Sequence, residues 1–137
     1  MKSIYIAGPL FNTHERWYLD RMAETLEAAG YQTFLPQRDA GLVKLGSAEE
    51  RLRIFKADID ALDAADLIVA LLTGADHDSG TSAELGYMYA KGKLCFGISD
   101  DKRGALNNII WGICGNGQRI VRSIDELLPL IASENME

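Results

Sequence analysis

Residues 66–72 read DLIVALL, an apolar run without the polar alternation of a half-buried strand. A strand of this kind needs apolar cover on both faces, which places it near the centre of a parallel sheet with helices packed on either side. Shorter β-rich runs bounded by turn signals lie at 3–7, 32–35, 94–98 and, weakly, 119–121. The segments between them are helical in pattern. Asn12 with Glu15 forms a capping-box pattern, followed by an apolar face of Trp17, Leu19, Met22, Leu26 and Ala29 that stops at Gly30. Ser47 with Glu50 repeats the device, and Leu52, Phe55, Ile59 and Leu62 continue it, which predicts a helix over 48–64. Further helices are expected over 79–90 and 123–131, with a short one near 107–112.

Strands alternating with helices specify an α/β fold. The expectation is a single domain spanning 1–137, with a doubly wound, flavodoxin- or Rossmann-like parallel sheet of five strands and helices on both faces. The loops AGPLFN, PQRDAG and TGADHDSGT follow the first three strands. In such sheets the ligand crevice lies beyond the carboxyl ends of the strands, so all three loops should share one rim.

At 137 residues the chain is long enough to bury a core without disulfides or a structural metal. A formal charge of −6, with 14 scattered basic residues, argues against a nucleic acid polymer as partner. No apolar run approaches the roughly 18–20 residues of a membrane span. The opening MKSIYIAGPL reads as a first strand and not a signal peptide, so a cytoplasmic location is expected. Cys95 and Cys114 belong to no C-x-x-C pair and read as packing thiols.

Familiar motifs are missing. There is no G-x-G-x-x-G after the first strand, no P-loop and no G-x-S-x-G. His14 and His77 are not spaced as a metal pair, and His14 reads as solvated. The DHD at 76–78 fails as a calcium loop, because Gly80 and Thr81 stand where an oxygen ligand and then glycine are required. No metal and no cofactor are called for.

What remains is a set of carboxylates: Asp58 and Asp60 on the second long helix, Asp78 in the third loop, and Glu84 early in the next helix. Paired carboxylates serve glycosyl transfer, one as nucleophile at the anomeric carbon and one handling the leaving group's proton. For Asp58 a solvated helix face is an equal reading. Glu84 should feel the positive end of the helix dipole, which favours the ionised form a nucleophile requires. Tyr5, mid-strand, is either a half-buried core residue or a hydroxyl that orients such a carboxylate. Phe11 either stacks on a planar base or packs on the helix it precedes.

The segments IYIAGPLFN, DLIVALL, DxGTxxELGYxxAxGK and NNIIWG, in that order, resemble the nucleoside 2-deoxyribosyltransferase family. The resemblance implies that Glu84 attacks C1′ of a 2′-deoxynucleoside to give a covalent deoxyribosyl-enzyme, which a second free base then attacks with net retention. It implies that Tyr5 positions Glu84, and that Asp58 and Asp78 bind the base and handle its proton. Phe11 would line the pocket, Gln37 would contact the base, and Gly8 and Gly80 would lie against the substrate. Asn107, preceding Trp111, matches a family residue that reaches the sugar hydroxyls of a neighbouring subunit's site, which implies a homodimer or higher homo-oligomer. The partners implied are deoxynucleosides and free nucleobases.

Related N-glycosidases, which hydrolyse nucleoside 5′-monophosphates, carry a phosphate-binding serine where Asp78 stands. A carboxylate there repels a phosphate, whereas Ser79, Thr81 and Ser82 keep the nucleotide reading open. The sequence also departs from the transferases at its polar SENME end, which puts in doubt a terminal carboxylate at the sugar site. A non-catalytic nucleotide-binding module with the same sheet is the reading from another class.

Overall fold

The computed structural model describes residues 2–41, 46–73, 78–100 and 107–134. The elements in chain order are β1 (Ser3–Ala7), α1 (Thr13–Ala28), β2 (Gln32–Phe34), α2 (Pro36–Asp39), α3 (Ala48–Ala64), β3 (Leu67–Leu71), α4 (Ser79–Ala90), β4 (Leu94–Ile98), α5 (Asn108–Ile113), β5 (Ile120–Val121) and α6 (Ile124–Glu134). The five strands form one parallel sheet in the order β2-β1-β3-β4-β5. The chain steps outward from β1 to β2 and then returns to the other side of β1 for β3. The crevice between β1 and β3 is therefore the switch point where a ligand site is expected.

Strand alternation divides the core in two. Ile4, Ile6, Leu67, Val69, Phe96 and Ile98 face α1 and α6, where they pack with Leu19, Met22, Leu26, Leu127 and Ile131. Tyr5, Ala7, Ile68, Ala70 and Cys95 face the other way and meet Leu62 of α3, Leu85 and Met88 of α4, and Ile110 and Ile113 of α5. DLIVALL is buried on both sides, as an interior strand must be. Both cysteines are buried free thiols.

The N-caps form as the sequence requires. Asn12 Oδ1 accepts from the Glu15 N–H at 2.8 Å, and Ser47 Oγ from the Glu50 N–H at 3.1 Å. The reciprocal arm of the first box lands one residue early, on the N–H of Phe11.

Three expectations are corrected. PQRDAG is not simply a loop, since Pro36 starts the four-residue α2, the missing N–H of proline costing nothing at a first helical position. On α1, Trp17 is 60 % exposed and Ala29 also faces outward, while Ala23 joins the buried stripe. On α3, Leu52 and Phe55 are 54 % and 60 % exposed, so the buried end of its apolar stripe is Leu62, with Ile59 half-buried. Strand and helix ends otherwise shift by one to three residues, the last helix running on to Glu134.

At the end of β1, a Cβ on Gly8 would lie 2.7 Å from Leu19 Cδ2 and 3.1 Å from Leu71 Cβ. A side chain here would press on Leu19 of α1 and Leu71 of β3, so glycine lets the first rim loop lie close to both. Among the described residues no helix is long and apolar enough to cross a membrane.

Candidate active site

β1 runs next to the switch point and points Tyr5 toward α3 and α4. The Tyr5 ring is fully buried and stacks on Phe34 of β2, its partner in the strand register, at 5.4 Å between centroids and 17° between planes. With the ring fixed from the side, the hydroxyl has one direction left. It donates to Glu84 Oε2 at 2.5 Å. Tyr5 is thus a core residue and an orienting hydroxyl at once. Burial, reinforced by the neighbouring Glu84 charge, pushes the phenol far above its ordinary range, so it acts only as a donor.

Glu84 is the sixth residue of α4, beyond the first turn where the helix dipole is felt most, so its helix position does not decide its charge. Burial dominates and, despite the opposing Tyr5 hydrogen bond, raises the carboxyl to about 7, with the Asp58 and Asp78 charges adding to the rise. The expectation that the helix dipole would keep Glu84 readily ionised is reversed. Tyr5 holds Oε2 and leaves Oε1 outside that hydrogen bond.

Asp58 belongs to this group and not to a solvated helix face. It is partly buried, its Oδ1 is enclosed without a hydrogen-bond partner among the described residues, and burial lifts its carboxyl to about 6. With no donor to hold a charge on that oxygen, the protonated form is favoured. A carboxyl that keeps its proton close to neutral pH is equipped to give it away.

Asp78 caps α4. Its Oδ2 accepts from the Thr81 N–H at 2.9 Å and from Thr81 Oγ1 at 2.8 Å, and its backbone carbonyl accepts from Ser82 Oγ at 3.0 Å. A Cβ on Gly80 would come to 3.4 Å from that same Oδ2. That is ordinary van der Waals contact, so Gly80 lies against the carboxylate without being required there by packing.

The remaining candidates are placed less directly. Phe11 is 79 % exposed on the first rim loop, so it does not pack on the helix that follows. Gln37, on α2, donates through Nε2 to Arg16 O at 3.1 Å and to Asp20 Oδ1 at 2.7 Å, while its Oε1 is buried without a partner among the described residues. Its amide is tied to α1. Asn107 caps α5, its Oδ1 accepting from Ile109 N and Ile110 N, and lies at the surface. Asp76 and His77 lie outside the described residues.

Sequence reasoning missed Phe34, and it named Thr81 only as a hydroxyl that kept the nucleotide reading open, not as a partner of Asp78. Phe34 was visible only as a strand residue, and its stacking on Tyr5 depends on which strands are neighbours.

The model of the family described as nucleoside 2-deoxyribosyltransferase matches residues 4–123, from before Tyr5 to beyond Asn107. The chain belongs to the nucleoside 2-deoxyribosyltransferase family. A solved structure of a conserved protein from Enterococcus faecalis is similar at a TM-score of 0.83 and 29 % identity, over 98 % of this chain and 99 % of that one. The 2-deoxyribosyltransferase of Bacillus psychrosaccharolyticus is similar at 0.79 and 26 % identity, over 91 % and 89 %. A CMP N-glycosidase from Clostridium botulinum, at 0.62 and 18 % identity over 96 % and 99 %, shares the fold. Among curated proteins, the uncharacterized protein C191.05c of Schizosaccharomyces pombe is 33 % identical over 107 residues, 73 % of this chain and 51 % of its own length. The chain thus spans about half the length of that curated relative.

Proposed function

We propose that the protein transfers 2-deoxyribose between nucleobases through a covalent ester on Glu84. The observation that carries this reading is the Tyr5 hydroxyl on Glu84 Oε2 at 2.5 Å, inside a buried site shared with Asp58 and Asp78. Glu84 Oε1 attacks C1′ of a bound 2′-deoxynucleoside as the C1′–N bond breaks. The Asp58 proton passes to the departing base, and the sugar remains esterified to Glu84. A second base then attacks C1′ from the vacated face, returns a proton to Asp58 and frees Glu84. Two inversions leave the original configuration. Water in place of the second base gives hydrolysis.

The substrate is a nucleoside in preference to its 5′-monophosphate. Of the hydroxyls of Ser79, Thr81 and Ser82 that kept the nucleotide reading open, those of Thr81 and Ser82 are engaged on Asp78 itself, and the Asp78 carboxylate opposes a phosphate. Protein incubated with a deoxynucleoside and no acceptor should gain the mass of one deoxyribosyl group. No mass gain and no base release with any of the four common deoxynucleosides would overturn the proposal.

The working form is a homo-oligomer in which Asn107 serves the site of a neighbouring copy. The Asn107 Oδ1 is committed to its helix cap, which leaves Nδ2 as the outward donor. Ile109 at 69 % and Trp111 at 46 % exposure supply apolar surface beside it. Ile109→Glu is expected to shift the protein to monomer in light scattering and to lower base exchange by about tenfold or more. An unchanged mass with unchanged exchange would remove this element.

A further inference from the structure

We propose that Thr81 is the positioning residue of Asp78, its side-chain hydroxyl holding Asp78 Oδ2 so that Oδ1 is left to meet the substrate. The inference rests on the reading of this site as one of deoxyribosyl transfer. It starts from burial. Thr81 is only 2 % exposed and is the buried polar residue among a described core that is otherwise hydrophobic. Valine has nearly the same shape and no hydroxyl to desolvate, so packing alone favours an apolar side chain here.

The cap on α4 does not need the hydroxyl either. An N-cap carboxylate is satisfied by a backbone N–H from the first turn, and the Thr81 N–H already reaches Asp78 Oδ2 at 2.9 Å. The Thr81 hydroxyl adds a second donor to the same oxygen at 2.8 Å. One more contact bears on the same residue: Ser82 Oγ holds the Asp78 carbonyl at 3.0 Å, so backbone and side chain are both fixed. Two donors on Oδ2 from one residue define the plane of the carboxylate as a single donor cannot, and Oδ2 is saturated toward the helix. The other oxygen, Oδ1, is the one not drawn into the cap.

The test is a double-mutant cycle on base exchange. Thr81→Val should lower kcat/KM about tenfold, the usual consequence of removing one hydrogen bond to a charged group, with melting temperature unchanged or raised. Thr81→Ser, which keeps the hydroxyl, should restore most of the rate. Thr81→Ala removes the hydroxyl without bulk and should behave as Val does, which covers the case of a misfolded Val variant. In an Asp78→Ala background, where no side-chain oxygen is left for Thr81 to hold, Thr81→Val should cost nothing further. Equal losses in both backgrounds, or a wild-type rate for Val and Ala, would overturn the role of Thr81 while leaving the transfer reaction intact. A wild-type protein that leaves every deoxynucleoside unchanged would instead overturn the functional reading and this role with it.

Discussion

Glu84→Gln is expected to abolish base exchange, by roughly 10³-fold or more, and at the same time to stabilise the folded protein above about pH 7. The first effect follows because an amide oxygen is neither charged nor able to form the sugar ester. The Tyr5 hydroxyl retains an acceptor in the variant, so the site keeps its shape. The second effect follows from burial. The folded carboxyl is raised from an ordinary 4.5 to about 7, so the native state holds its proton to higher pH than the unfolded chain does. Stability is then fully present below the unfolded value and is lost as pH rises through about 7. Glutamine carries no charge and escapes that loss, a gain on the order of 2 kcal/mol at pH 8. Thermal melts should show wild type and variant close together at pH 4 and the variant higher at pH 8. A variant that still exchanges bases refutes Glu84 as nucleophile, and one that melts below wild type at pH 8 refutes the account of its buried charge.

The elements that carry the site were the most legible in the sequence. β1, β4, α3 and α4 match the expected bounds, because turn or capping residues such as Gly8, Ser47, Asp78 and Gly92 stand close to their ends. Glu84, Tyr5 and Asp58 were identifiable as residue types in suitable elements, and the family resemblance grouped them at one site; periodicity alone could not, since their meeting depends on strand order. Periodicity also misled on α3: it finds an apolar face and says nothing about what covers it, so Leu52 and Phe55 read as core and are exposed. The charge of Glu84 failed for a related reason. Helix position is local and readable, whereas depth is tertiary, and here depth is the larger effect.

Asp58 separates the two halves of the chemistry. Asp58→Asn is expected to slow transfer from natural deoxynucleosides by about 10²-fold, the usual size of a lost general acid. Transfer from 2-deoxyribosyl fluoride, whose leaving group departs as an anion without taking up a proton, should fall less than about tenfold. The same division governs pH. In the proposed mechanism exchange needs Glu84 charged and Asp58 protonated, and burial raises these carboxyls to about 7 and about 6. The rate should therefore peak between those values, falling on the acid side as Glu84 gains its proton and on the alkaline side as Asp58 loses its own; the two apparent values belong to the interacting pair. The Asn variant has no proton to lose at this position, so with the fluoride donor its alkaline limb should disappear while the acid limb, set by Glu84, remains. An alkaline limb that survives the substitution, or an equal rate loss with both donors, would assign the proton to another group. Asp58 Oδ1 has no partner among the described residues, and the burial that raises its carboxyl to about 6 is what lets it carry the proton the proposed mechanism needs into the range where the rate should peak.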